Sequence, residues 1–151
     1  GTWRYLSVLS LCRTIQNREV IRIMTKVWTN GCFDLLHRGH IELFNYAKSI
    51  GHWLRVGLDS DEMVRKSKGV GRPLNTLEDR KFLVNSIEAV DEVCGFDSHD
   101  ELIELLKDYK PDIMIVGGDW EGKSIVGGVH AKEIKYFKRI EEYSTSKLID
   151  A

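Results

Sequence analysis

The sequence lacks the features that would mark it for a membrane, a disulfide scaffold or a polyanion. No apolar run approaches the ~20 residues that a membrane helix needs. Net charge is −1, which excludes bulk attraction to nucleic acid or an anionic bilayer and leaves only local phosphate-binding clusters open. The three cysteines, Cys12, Cys32 and Cys94, are odd in number and far apart, so a disulfide framework is excluded. They point to reduced thiols in a cytoplasm. There is no internal repeat, no low-complexity tract and no Gly-x-Gly-x-x-Gly fingerprint of a dinucleotide site. What remains is 151 residues, 42% hydrophobic and 30% charged, a mix that suits one globular domain with one core.

The most informative stretch runs from Asn30 to His40, Asn-Gly-Cys-Phe-Asp-Leu-Leu-His-Arg-Gly-His. Lys26–Thr29 before it reads as a strand, and Ile41–Lys48 after it as a helix. A strand that turns through glycine into a helix opens an α/β nucleotide-binding unit. If the helix begins near Arg38 or Gly39, His40 lies in its first turn and His37 just before it. Both imidazoles then lie at a helix N-terminus, where free N–H groups and the dipole favour an anion. Gly39 leaves room for a phosphate. Two surface histidines or two metal ligands are the competing readings. His52, His99 and His130 show no ligand spacing to complete a metal site, so the phosphate reading is preferred.

Alternating helical and strand patterns follow along the chain. Residues 52–59 read as a second strand, capped by Asp59, Ser60 or Asp61 into a short helix over 61–66. A basic segment with Lys66, Lys68, Gly69, Gly71 and Pro73 comes next. It is either a solvated loop or, at the carboxyl end of a strand, a cover for a triphosphate. The spacing predicts a helix over 75–90 with Phe82, Leu83, Ile87 and Val90 inside. Arg80 in it lies close to the basic segment, where the plain reading is a local ion pair. A third strand over 91–96, a helix over 98–110 stopped by Pro111, a fourth strand from Asp112 and a fifth over 131–139 complete the set. Gly117, Gly118 and Asp119 follow the fourth strand. Asp119 suits a base amine, a metal-phosphate or a helix cap equally well. Ser144 and Thr145 start a last helix and offer N–H and hydroxyl groups to a phosphate. The whole predicts an α/β domain over 24–151, a Rossmann-like parallel sheet of about five strands with helices on both faces. Residues 1–23 read as an extension or leader.

The run Gly31–Phe44 resembles the signature of the cytidylyltransferase-like (HxGH) nucleotidyltransferases, and the likeness extends from about Met24 to the C-terminus. Asp119–Lys123, Asp-Trp-Glu-Gly-Lys, resembles glycerol-3-phosphate cytidylyltransferases. Lys68–Arg80 and the Ser124–Gly128 region resemble the nucleotidyltransferase half of ADP-heptose synthases. Arg139, Ser144 and Thr145 match a second family signature, with Glu142 and Tyr143 in place of its glycine and isoleucine.

The resemblance implies transfer of a nucleoside monophosphate to a phosphate monoester with release of pyrophosphate. It implies His37 and His40 as donors in the transition state, and Lys66 with Lys68 on the acceptor phosphate and triphosphate. Gly31, Cys32, Phe33, Asp34 and Gly39 would shape the nucleotide-binding turn, with Asp34 orienting it. Arg80, Arg139, Tyr143, Ser144 and Thr145 would lie by the phosphates, and Gly118 and Asp119 by the nucleoside. No protein-caged metal is implied; Mg²⁺ would arrive on the phosphates. CTP with a glycerol-3-phosphate-like acceptor is the leading expectation, and ATP with a sugar 1-phosphate the alternative. A non-catalytic nucleotide sensor ranks behind both. The segment Glu88–Val93 resembles the family's subunit contact, which implies a homodimer.

Overall fold

Five short segments rich in apolar residues form strands and send alternate side chains to opposite faces of one sheet, both of which are covered. The computed structural model describes residues 24–138. The strands are β1 (Lys26–Gly31), β2 (Trp53–Asp59), β3 (Glu92–Phe96), β4 (Ile113–Gly117) and β5 (Glu133–Phe137). All neighbours pair in parallel, in the order β3-β2-β1-β4-β5. Helices α1 (Arg38–Ser49), α2 (Asp61–Lys68), α3 (Leu77–Asn85) and α4 (His99–Tyr109) make the first three connections, and two 3₁₀ turns, Gly118–Trp120 and Gly128–His130, lie between β4 and β5. The expected Rossmann-like α/β sheet is what forms.

Each face of the sheet has its own core. Val27, Leu54, Val56, Leu58, Ile113 and Ile115 pack with Phe44 and Ala47 of α1 and Val84 of α3. Trp28 and Met114 face the other way, against Phe96 and against Leu102, Leu106 and Tyr109 of α4. Strand parity explains the division, since Val27 and Trp28 are chain neighbours, both wholly buried, in opposite cores. Gly57 is needed for this packing. A Cβ there would stand 2.5 Å from the Trp28 ring, which lies across the strand at that point.

Side-chain caps fix where the helices begin. Ser60, Thr76 and Ser98 accept from the N–H groups of Met63, Asp79 and Glu101, each cap stabilising its helix by about 1 kcal/mol. Two expectations are corrected. The short helix does not end at 66 but continues to Lys68, with Gly69 at φ 100° closing it. The helix expected over 75–90 ends at Asn85 and turns a different face inward. Phe82 is 74% exposed and Leu83 41%, while Arg80 is wholly buried along with Val84. Positions 80 and 84 lie one turn apart on one stripe. Arg80 finds hydrogen-bond partners under that stripe, so the stripe, and not Phe82, packs inward. Val90 still reaches the core, from the turn beyond the helix.

Candidate active site

Every strand delivers its last residue to one cavity. Gly31, Asp59, Phe96, Gly117 and Phe137 end β1 to β5, and all five line a cavity of about 590 Å³ at the carboxyl edge of the sheet. The chain runs from β1 outward to β3, then returns to β1's other side as β4. The cavity therefore sits at the point where strand order reverses, the place an open parallel sheet offers a ligand.

The histidine turn forms its floor. His37 is the N-cap of α1, and its Nδ1 accepts from the Gly39 N–H at 3.1 Å. The His37 N–H in turn donates to Nδ1 of His40 at 3.3 Å. The two rings stack, with centroids 3.7 Å apart and planes 21° from parallel. With each Nδ1 acting as acceptor, each neutral ring must carry its proton on Nε2. The capping box thus does more than start the helix: it fixes both tautomers as Nε2 donors. His37, Gly39 and His40 all line the cavity. Phe33 holds the turn from behind at φ 48°, edge-on to His40 at 5.3 Å and against Phe44 at 5.0 Å. Its ring closes over Gly31, where a Cβ would come within 3.2 Å.

Asp34 and Arg80 stand apart from the cavity wall. Neither lines the cavity, and both are buried to within 1%. The Asp34 carboxylate accepts from the backbone N–H groups of Leu74 (2.7 Å) and Asn75 (2.8 Å), with Nε of Arg72 at 3.6 Å. The Asn75 side chain donates back to the Asp34 carbonyl at 3.0 Å. Asp34 thereby pins residues 72–75 beneath the histidine turn. Arg80 donates to the carbonyls of Cys32 (2.9 Å), Asp59 (2.7 Å) and Asn75 (3.1 Å) and to the Asp61 carboxylate (2.7 Å). One guanidinium so ties together the ends of β1 and β2 and the starts of α2 and α3. With these donors spent inside the protein, Arg80 shapes the site from beneath.

The two lysines part company. Lys68 lines the cavity and Lys66 does not. Both are in the last turn of α2, where residues two apart point roughly 200° away from each other, so one face cannot present both. Gly31, Cys32, Phe33 and Asp119 are brought to the cavity, and Gly117 takes the place expected for Gly118. The segment Gly118–Trp120 is a single 3₁₀ turn that puts Asp119 and Trp120 on the rim. Burial pushes the Cys32 thiol up from its ordinary pKa, against the pull of Lys68 and Arg80, so it is a neutral wall group at neutral pH. Arg139, Tyr143, Ser144 and Thr145, and the extension 1–23, lie outside the described residues.

Sequence reasoning passed over Asn30, Asp59 and His99, which also line the cavity. The available signal was position: each falls at or just past the carboxyl end of a predicted strand. Burial raises the Asp59 pKa, opposed by the charges of Arg80, Lys68 and His99. Among the described residues, no group of three or more His, Cys, Asp or Glu side chains is gathered for a metal ion.

The cytidylyltransferase-like family model matches residues 28–151. The chain is 48% identical over 123 residues to the bifunctional protein HldE of Sulfurimonas denitrificans, covering 82% of this chain and 26% of that protein. It is 42% identical over 144 residues to HldE of Wolinella succinogenes (89% and 30%) and 40% identical over 147 residues to HldE of Helicobacter pylori (97% and 30%). The chain spans 26–30% of the length of these relatives. Among solved structures, a lipopolysaccharide core biosynthesis protein from Thermoplasma volcanium superposes with a TM-score of 0.62 at 24% identity, covering 77% of this chain and 96% of that one. A protein of unknown function from Archaeoglobus fulgidus gives 0.59 at 18% identity, covering 79% and 93%. Both share the fold.

Proposed function

The chain belongs to the cytidylyltransferase-like family and is a nucleotidyltransferase, and on that premise we propose that it transfers the adenylyl group of ATP to a heptose-type sugar 1-phosphate. The observation that carries this choice is the 40% to 48% identity with bifunctional HldE proteins. It favours the ADP-heptose side of the sequence resemblance over the leading expectation of CTP and glycerol 3-phosphate.

In this reading an oxygen of the acceptor phosphate attacks the α-phosphorus of ATP. The bond from that phosphorus to the bridging oxygen breaks, and pyrophosphate leaves with the electron pair. A phosphoanhydride to the sugar phosphate forms. The protein contributes alignment and positive charge more than covalent chemistry. The Nε2–H groups of His37 and His40 donate to phosphate oxygens that gain charge, and their tautomers are set before substrate arrives. Lys68 adds charge from the α2 side, and the nucleoside lies by Gly117, Asp119 and Trp120. Arg139, Ser144 and Thr145 are assigned to the β and γ phosphates by resemblance. Mg²⁺, carried on those phosphates, neutralises part of their charge.

The test is pyrophosphate release with Mg²⁺, ATP or CTP against heptose 1-phosphate or glycerol 3-phosphate, with His37→Ala as control. Release with ATP and the heptose phosphate supports the reading. Release only with CTP and glycerol 3-phosphate restores the other acceptor, and nucleotide binding without release from any pair refutes both.

A homodimer is part of the same proposal. Phe82 (74% exposed) and Leu83 (41%) present apolar surface on α3, just ahead of the Glu88–Val93 segment. Light scattering after gel filtration should give twice the chain mass at micromolar concentration; a monomer counts against it.

A further inference from the structure

The proposed chemistry uses the histidines and the β4 side of the cavity but leaves the lobe over β2 and β3 without a task. Met63, Phe96 and Leu102 wall that lobe, and Asn30, Asp59 and His99 supply its polar groups. Their placement follows from strand register. Asn30 pairs with Gly57 across β1 and β2, and Asp59, two residues on, shares Gly57's face.

The amide of Asn30 has a settled orientation. Trp28 lies across Gly57, and its indole N–H, which can only donate, reaches Oδ1 of Asn30 at 2.8 Å. The Asn30 carbonyl is thereby engaged, and its NH₂ group remains as donor. Asp59 offers the opposite. Its backbone carbonyl is held by Arg80 at 2.7 Å, and among the described residues no hydrogen bond or ion pair reaches its half-buried carboxylate. A fixed donor and a carboxylate acceptor thus stand on adjacent strands, at the edge of an apolar wall.

We propose that Asn30 and Asp59 are specificity-determining residues that read neighbouring hydroxyl groups on the body of the acceptor, a polyol phosphate whose phosphate lies toward His37, His40 and Lys68. A hydroxyl both donates and accepts, so it satisfies Asp59 and Asn30 together, and the carbon-bound faces of a sugar suit Met63, Phe96 and Leu102. A second anionic group in this lobe is repelled by Asp59. The inference rests on the reading above that the acceptor is a phosphorylated polyol.

The experiment pairs kinetics with binding, on the full chain. In pyrophosphate-release assays Asp59→Ala and Asn30→Ala each raise the KM for heptose 1-phosphate, Asp59→Ala by about 10- to 100-fold as expected for bonds to a charged group. The KM for ATP stays within about twofold. Isothermal titration with heptose 1-phosphate shows the same weakening, and urea unfolding of each variant confirms that it is folded. An Asp59→Ala protein that binds heptose 1-phosphate as tightly as the wild type overturns the inference, whether or not pyrophosphate is released. Binding lost in the variant, with no release by the wild type, supports the inference and refutes the proposed reaction. A wild type that does not bind the sugar phosphate refutes both.

Discussion

Replacing Arg80 with methionine removes a guanidinium and keeps an unbranched apolar stem. Three backbone carbonyls, those of Cys32, Asp59 and Asn75, lose a donor, and the Asp61 carboxylate loses its cation. An orphaned buried acceptor costs about 1–3 kcal/mol. Asp61 is 40% exposed and turns to water, so its share is small. The Cys32 carbonyl bond is buried and those of Asp59 and Asn75 are partly so, which puts the sum at about 3–5 kcal/mol, as for breaking other buried charged networks. That is a large part of the 5–15 kcal/mol that typically separates folded from unfolded domains. Urea unfolding followed by tryptophan fluorescence should show a large fall in midpoint for Arg80→Met. Arg80→Lys should fall nearly as far, because one ammonium cannot fork to four acceptors on four segments. A change under about 1 kcal/mol, accompanied by a raised KM for nucleotide, would return Arg80 to the phosphate-binding role the sequence suggested and refute the tie described above.

Three further outcomes are expected. His37→Asn keeps an acceptor near the position of Nδ1 and so retains the α1 cap, whereas His37→Ala loses about 1 kcal/mol of stability; both lose the Nε2 donor and about 10²–10³ in kcat, and an active His37→Asn enzyme would remove His37 from the chemistry. Gly57→Ala drives a methyl into the Trp28 ring at 2.5 Å, costing about 1–3 kcal/mol and altering the near-ultraviolet circular dichroism; an unchanged spectrum and midpoint would contradict that packing. Asp59→Asn removes a carboxyl whose pKa is raised in the folded state by burial, against Arg80, Lys68 and His99. The carboxylate form therefore opposes folding above the ordinary aspartate pKa. The variant should exceed the wild type in stability at neutral pH, with the gain disappearing as pH falls below that pKa; a gain that grows in acid would reverse the sign argued here.

Much of the fold was legible because its signals are local. Short apolar runs marked the strands, and Ser60, Thr76 and Ser98 stand where capping chemistry places a helix start. The two-histidine turn was legible for the same reason, since His37 caps and His40 falls in the first turn. What escaped depends on contacts between distant segments. Arg80 looked like a surface or ligand-binding cation because nothing nearby in sequence announces carbonyls 21 and 48 residues away. Phe82 looked like core because an aromatic in an amphipathic helix usually is, until a buried arginine claims the inward stripe. Lys66 and Lys68 read as a pair only while their segment was taken for a loop.

The site divides its charges into two populations with different duties. Asp34 and Arg80 are buried, hydrogen-bonded within the protein, and outside the cavity wall. They fix the floor on which the histidines stand, and neither needs to change partner during turnover. Lys68, Asp59, His37 and His40 line the cavity. That separation is what electrostatic preorganisation requires, since donors already held in place need no rearrangement as charge develops. On the proposed reading a change at Asp59 or Asn30 alters what the lobe binds, whereas a change at Asp34 or Arg80 loosens residues 72–75, the ends of β1 and β2 and the starts of α2 and α3.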